Sequence, residues 1–282
     1  MDTVVPQSPP FISAPQLASQ LGRADAPLVL DVRRNDAYDA GPRLLPGAIR
    51  VAPDDLAAAT AVLSHDRDIV AYCVHGHEVS QGAARSLRAA GLDATYLENG
   101  ITGWIDTGLP TMGKVPDLAL PATPGRPTRW VTRERPKIDR IACPWLIQRF
   151  IDPTAQFLYV PAGEVASAAE RHSAIPYDVP GVRISHRGAE GELCSFDALI
   201  AECGLDDPAL DDLARIVRGA DTGRPELTPQ SPGLLAVSLG LSTYFRDDHA
   251  MLGAGTVIYD ALYAWLRSAR AETHNALLFR NP

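Results

Sequence analysis

The sequence predicts an α/β unit, a parallel sheet flanked by helices, followed by a second, mixed α+β unit that becomes mainly helical toward its C-terminus. Three observations carry this. Short apolar runs alternate with helical stretches from Ala26 to Trp104, prolines and glycines crowd residues 108–128, and helical spacing is sustained after Ser195. At 282 residues the chain is also long for a single core, which favours two domains. The boundaries read as 1–109, a Pro/Gly-rich extended linker over 110–128, and 129–282.

PLVLDV (27–32) and DIVAYCV (68–74) read as buried strands that each enter a loop at the C-terminal end. Between them, 54–63 reads as a helix with an acidic start. A second helix is expected over 80–91, with Ser80 as N-cap and Gly91 as the stop, and 93–100 as a further strand. In the second unit a helix is expected to begin near Pro144, because proline suits a first helical position. Residues 155–161 and 182–186 are strand-like, with a helix over 162–172 between them, and 195–204 and 207–219 have helical spacing with suitable caps. The stretches from Gly233 and from Gly255 read as helical and well buried. There is no internal repeat.

Composition bounds the function. The chain is 46% hydrophobic and 21% charged, which supports an ordinary core rather than disorder. The net charge is −8, the first 109 residues are the more acidic half, and Lys114 and Lys137 are the only lysines. Neither half has the basic excess that a phosphate backbone demands, so no nucleic-acid partner is expected. The first twenty residues lack a basic segment followed by an apolar run, and no stretch is apolar for the 18 or so residues of a membrane span. The expectation is a cytoplasmic protein with no membrane partner. Cys73, Cys143, Cys194 and Cys203 are scattered, without a C-x-x-C pair, and read as thiols.

The stretch AYCVHGHEVSQGAA places Cys73 at a strand end, ahead of a short glycine-containing loop and a helix. In that geometry backbone N–H groups and the helix N-terminus point toward the sulfur, favour its thiolate and cradle an anion. DVRRNDAYDAG (31–41), LPGAIRV (45–51), YCVHGHEVSQGAA (72–84) and YLENGITGW (96–104) follow one another in the order and spacing of the rhodanese family, and each block resembles that family's own. The resemblance implies that Cys73 takes a sulfane sulfur from a small donor such as thiosulfate, forms a persulfide and passes it to a thiol acceptor, with no cofactor required. It also implies that Val74, His75, Gly76, His77, Glu78, Val79 and Ser80 form the oxyanion cradle, and that Asp31 and Arg33 fix the loop.

Two departures from the family pattern stand out. Counted to Ser80, the loop is one residue longer than in the sulfurtransferases. Longer loops accompany phosphatases and arsenate reductases in the wider superfamily, but those end in arginine, and Val79 stands here. Glu78 sets a negative charge where an anionic donor would approach, which His75 and His77 offset if protonated.

In the second unit, the segment from Arg129 to Arg149 is locally basic and leads into a helix, an arrangement that suits a small anion or a set of salt bridges. KIDRIACPWLIQRFID resembles the signature that opens the C-terminal domain of chromate-resistance ChrB proteins, and the resemblance continues through IPYDVPGVRISHRG, CSFDALI, IVRGADTG and YDALYAWL. It implies a role in tolerance of chromate, by sensing or handling that oxyanion. By motif position Arg133, Lys137, Asp139, Arg140, Cys143 and Arg149 are the candidates for an anion or redox site. Cys143 reads either as a thiol activated at a helix start or as a packed core cysteine, and Trp145 as core. His186, Asp221, Asp248 and His249, with Asp247 beside them, are the candidate ligands should this domain hold a metal ion. Asp248 and His249 also read as a helix start. Two other readings stay open: a sensor or adaptor that binds oxyanions without turnover, and a metal-dependent redox enzyme in the second domain.

Overall fold

In the computed structural model, which describes residues 9–189 and 191–272, the first unit is a five-stranded, all-parallel sheet. Its strands are β1 (Phe11–Ile12), β2 (Leu28–Asp31), β4 (Ile49–Arg50), β5 (Ile69–Tyr72) and β6 (Ala94–Leu97), in the order β1-β6-β5-β2-β4. Alternation within the strands sends side chains into two helical layers. Leu28, Leu30, Ile69 and Ala71 face Ala59 of α3 (Leu56–Thr60) and Ala83 and Leu87 of α4 (Glu78–Ala89). Val29, Val70 and Tyr72 face Leu17 of α1 (Ala14–Gln20) and Ile101 and Trp104 of α5 (Gly100–Asp106). The short α2 (Asn35–Ala40) follows β2.

The expected linker is not an extended spacer. β7 (Met112–Gly113) pairs antiparallel with β3 (Arg43–Leu44), and Val115, Leu118 and Leu120 are buried in the same core as Trp130 and Phe150. The prolines and glycines shape the turns, while the apolar residues between them supply burial that outweighs the freedom of a flexible tether. Arg43 pairs with Asp206 at 2.6 Å, and Gly47 N–H donates to the Phe150 carbonyl at 2.6 Å, so the two units meet along a packed seam.

The second unit opens on a three-stranded parallel sheet, β10-β8-β9, formed by β8 (Arg129–Arg133), β9 (Gln156–Val160) and β10 (Ile175–Pro176). The rest is helical: α6 (Asp139–Leu146), α7 (Val165–His172), α8 (Ser195–Cys203), α9 (Pro208–Asp221), α10 (Ser231–Tyr244) and α11 (Asp248–Ala264). Trp145, fully buried, sits among Phe150, Phe196, Tyr259 and Tyr263 with ring centroids 5.6–6.4 Å away, and its indole N–H donates to Asp260 at 2.7 Å.

Several expectations are corrected. α4 begins at Glu78, two residues before Ser80. α6 begins at Asp139, so Pro144 lies inside it. The Arg140 carbonyl, which Pro144 cannot serve, instead accepts from the Tyr177 hydroxyl at 3.5 Å. Residues 182–186 make only an isolated bridge, Tyr177 with Ile184, and the third strand is β10. α10 is buried on one side only, with Val237, Leu239 and Tyr244 exposed. No helix among the described residues is long and apolar enough to cross a membrane. Residues 1–8, 190 and 273–282 of the expected domains lie outside the described residues.

Candidate active site and a second polar centre

Cys73 follows the last residue of β5 and is 6% exposed, at the carboxyl end of the sheet where ligands of parallel α/β folds collect. It lines a cleft of about 570 Å³ together with Arg33, Arg34, Asp36, His75 and Glu78. The loop from Cys73 to His77 is held from behind. The Cys73 and Val74 carbonyls accept from Ile101 N–H (3.0 Å) and Thr102 N–H (3.1 Å) at the start of α5. Gly76 and His77 carbonyls accept from the Gln81 side chain and backbone, both at 3.0 Å. With these carbonyls engaged, the N–H groups of Val74 through Ser80 donate to no protein acceptor among the described residues. They are the backbone donors that the loop leaves without a protein partner.

Two details correct the expected geometry. None of those amides reaches the sulfur of Cys73; its partner is the Ser80 hydroxyl, 3.1 Å away and fully buried in the first turn of α4. The loop also closes at His77, so the extra residue counted to Ser80 belongs to the helix. Gly76 has φ +72°, and a Cβ there would lie 2.6 Å from Leu97 O and 2.7 Å from Asn99 N. Only glycine allows that approach.

Asp31 and Arg33 sit behind the loop as a buried pair at 2.6 Å, 0% and 2% exposed. The Tyr72 hydroxyl donates to Asp31 at 2.9 Å, and burial followed by the Asp31 charge pushes that phenol well above its usual range. Since Tyr72 precedes Cys73, this pair fixes the strand end that carries the sulfur. The cleft mouth is electrostatically mixed. His75, His77 and Glu78 are exposed at its rim, Arg34 lines the same cleft from the N-cap position of α2, and Val79 contributes no charge.

In the second unit the carboxylates of Asp139, Asp178 and Asp221 converge on His186, whose Nε2 is 3.4, 3.5 and 3.1 Å from them respectively. Asp139 opens α6, where Ile138 holds φ +42°, a costly backbone for a β-branched residue; Tyr259 OH donates to the Ile138 carbonyl at 2.8 Å. Asp221 closes α9, and Asp178 follows β10. Arg133 and Arg140 pair with Asp178 at 2.7 and 3.1 Å, and Ser195 OH donates to it at 2.9 Å.

Hydrogen bonding to Asp139 and Asp221 pushes His186 up to about 10, while burial raises Asp139 and Asp178 against the pull of their cationic neighbours. Cys194 is fully buried and its sulfur donates to Asp197 at 3.3 Å, an acceptor that Arg218 also grips. Burial and the nearby carboxylates push the Cys194 and Cys143 thiols well up. Cys143 is therefore a buried thiol one turn into α6, not the activated thiol at a helix start that its place before Pro144 suggests.

Of the candidates named from sequence, Arg133, Asp139, Arg140, Cys143, His186 and Asp221 come together. Arg149 does not. It pairs with Asp260 at 2.9 Å beside Trp145, a structural clamp. Lys137 lies at the turn before α6 and has no carboxylate partner among the described residues. Asp248 and His249 start α11 away from the cluster, where Asp248 accepts from Arg135 N–H at 3.0 Å and His249 meets Tyr159 edge to face. Asp178, Cys194 and Ser195 were missed as site residues, although they stand inside the quoted IPYDVPGVRISHRG and CSFDALI segments, where the signal lay.

A parallel sheet that carries a cysteine on an amide-lined loop at its carboxyl edge defines a thiol-bearing α/β domain. The rhodanese-like domain family matches residues 13–107, and the family described as ChrB, C-terminal domain, matches residues 130–266, so the chain joins a rhodanese-like domain to a ChrB C-terminal domain. Protein ChrB of Cupriavidus metallidurans is 34% identical over 143 residues, 50% of this chain and 42% of that protein. An HTH-type transcriptional regulator of Mycobacterium tuberculosis is 41% identical over 83 residues, 29% of this chain and 36% of the regulator. The chain thus spans less than half the length of either relative. Among solved structures, a rhodanese-related protein from Thermoplasma volcanium matches at 27% identity and a TM-score of 0.32, covering 36% of this chain and 96% of that one.

Proposed function

We propose that the first domain is a rhodanese-type sulfurtransferase working through a Cys73 persulfide, joined to a domain that handles or senses an oxyanion in chromate tolerance. The observation that supports the first part is the Cys73 loop, whose carbonyls are held from behind while the amides of Val74 to Ser80 have no protein acceptor among the described residues. A Cys73 thiolate attacks the outer sulfur of a donor such as thiosulfate. The donor's S–S bond breaks, and sulfite leaves with the bonding pair. The new sulfur, roughly 2 Å beyond Sγ, sits among the free amides, which stabilise its negative charge. A thiol acceptor, as thiolate, then attacks that outer sulfur and returns the electron pair to Cys73. Ser80, hydrogen-bonded to Sγ, steadies the thiolate between turnovers.

Glu78 and Asp36 at the rim set an electrostatic cost on a dianionic donor, and Arg34 offsets part of it. The oxyanion role of the second domain is supported by its likeness to protein ChrB and by Lys137, a cation without a carboxylate partner among the described residues. The test is thiosulfate:cyanide sulfur transfer by the intact chain and by Cys73→Ala. The variant should lose transfer; equal rates would remove the enzymatic reading.

A further inference from the structure

We propose that Asp139, His186 and Asp221 bind one borderline divalent first-row ion, of the iron(II), cobalt(II) or zinc class, with Cys194 beside them as a fourth donor. The geometry of His186 is the first ground. A single imidazole N–H points in one direction, yet three carboxylate oxygens from α6, α9 and the segment after β10 stand 3.1–3.5 Å from Nε2. Ring nitrogen and carboxylates arranged in that way serve one central cation better than one hydrogen bond. The donor atoms of Asp139, Asp178 and His186 lie within 4.8 Å of one another, and so do those of Asp139, Cys194 and Asp221. Asp139 belongs to both groups and would be the shared ligand.

Cys143 is an independent ground. Its thiol is 0% exposed and has no hydrogen-bond partner among the described residues. It lies one turn along α6 from Asp139. Among the described residues the thiol that falls within a donor group is that of Cys194, with Asp139 and Asp221, and a sulfur donor suits a borderline ion rather than magnesium or calcium, which take oxygen-only shells.

Asp178 has a different role. Arg133, Arg140 and Ser195 occupy its oxygens, so it positions the cluster and balances charge while the less committed Asp139 and Asp221 coordinate. Ser195 N–H donates to Asp139 at 3.3 Å and orients it, as metal-ligating carboxylates require. His186 is part-exposed, which leaves the ion a path in and an open side for a ligand.

The test uses the intact chain, freed of metal with a chelator and titrated with Co²⁺, followed by visible absorption and calorimetry. One Co²⁺ per chain is expected, displaced by Zn²⁺ and not by Mg²⁺. Asp139→Asn and His186→Gln should each weaken Co²⁺ binding by tenfold or more. Asp221→Asn, at the more accessible end of α9, gives the same readout should the buried variants fail to fold. Asp248→Asn with His249→Gln should bind as the unaltered chain does. Absence of stoichiometric Co²⁺ and Zn²⁺ binding, or binding unchanged in a folded Asp221→Asn or His186→Gln chain, overturns the proposal. Sulfur transfer at Cys73 is untouched by either result.

Discussion

Gly76→Ala separates the two reasons a glycine stands in the thiol loop. The first is conformational: φ +72° costs an alanine roughly 1–2 kcal/mol. The second is contact. The added Cβ would lie 2.6 Å from Leu97 O, 2.7 Å from Asn99 N and 3.0 Å from Gly100 N, all backbone atoms of the β6–α5 corner. Ordinary contact begins near 3.4 Å, so loop or corner must move by roughly 0.8 Å, and overpacking of that kind costs about 1–3 kcal/mol. The total expected loss is about 2–5 kcal/mol. Gly91→Ala supplies the control, since Gly91 has φ +85° with nothing within 4 Å of its would-be Cβ and should show the conformational part alone. Urea unfolding of both variants gives the difference, and thiosulfate:cyanide transfer gives the function. Because the moving loop carries the free amides, Gly76→Ala should also lose at least tenfold in kcat/KM while Gly91→Ala keeps its rate. If Gly76→Ala is no less stable than Gly91→Ala, the argument from backbone crowding is wrong.

Two further outcomes follow from buried and part-buried charge. Asp31→Ala leaves the 2%-exposed Arg33 guanidinium without its carboxylate and should cost about 3–5 kcal/mol in urea unfolding; a loss below about 1 kcal/mol would mean that Arg33 finds water or another acceptor. Glu202 concerns pH: burial alone would raise it, but hydrogen bonds from Arg183 and Arg187 outweigh burial and hold it below its usual value of 4.5. A depressed carboxyl adds stability above its unfolded value and loses it as pH falls through the folded one. The stability gap between the unaltered chain and Glu202→Gln should therefore be full at pH 6 and shrink on acidification below about pH 4.5; a gap that grows toward acid contradicts the pairing.

The first domain was legible because its signals are local. PLVLDV and DIVAYCV are continuous apolar runs, and a run of that kind in a parallel sheet is buried on both faces whatever surrounds it. What escaped there was a boundary: Ser80 looks like a helix cap, yet its hydroxyl turns inward to Cys73, seven residues back in the chain, and the helix starts two residues earlier with no side chain capping it. The second centre was half legible. Asp139, Arg140, Cys143, His186 and Asp221 were named, but their convergence depends on packing α6, α8 and α9 against β8 and β10, which no spacing encodes. Asp248 and His249 were named on residue type alone, and the fold spends them on the start of α11. The region after residue 108 misled because proline and glycine content speaks of turns, while four apolar side chains among them decide burial.

That buried connector makes the two halves of the chain one mechanical body. Leu44 from the sheet side and Met112, Val115 and Leu120 from the connector lie in the interior of the second half, so neither half can swing on a hinge without tearing open that interior. The segment between the halves thus thickens the interior of the second instead of lengthening the reach of the first.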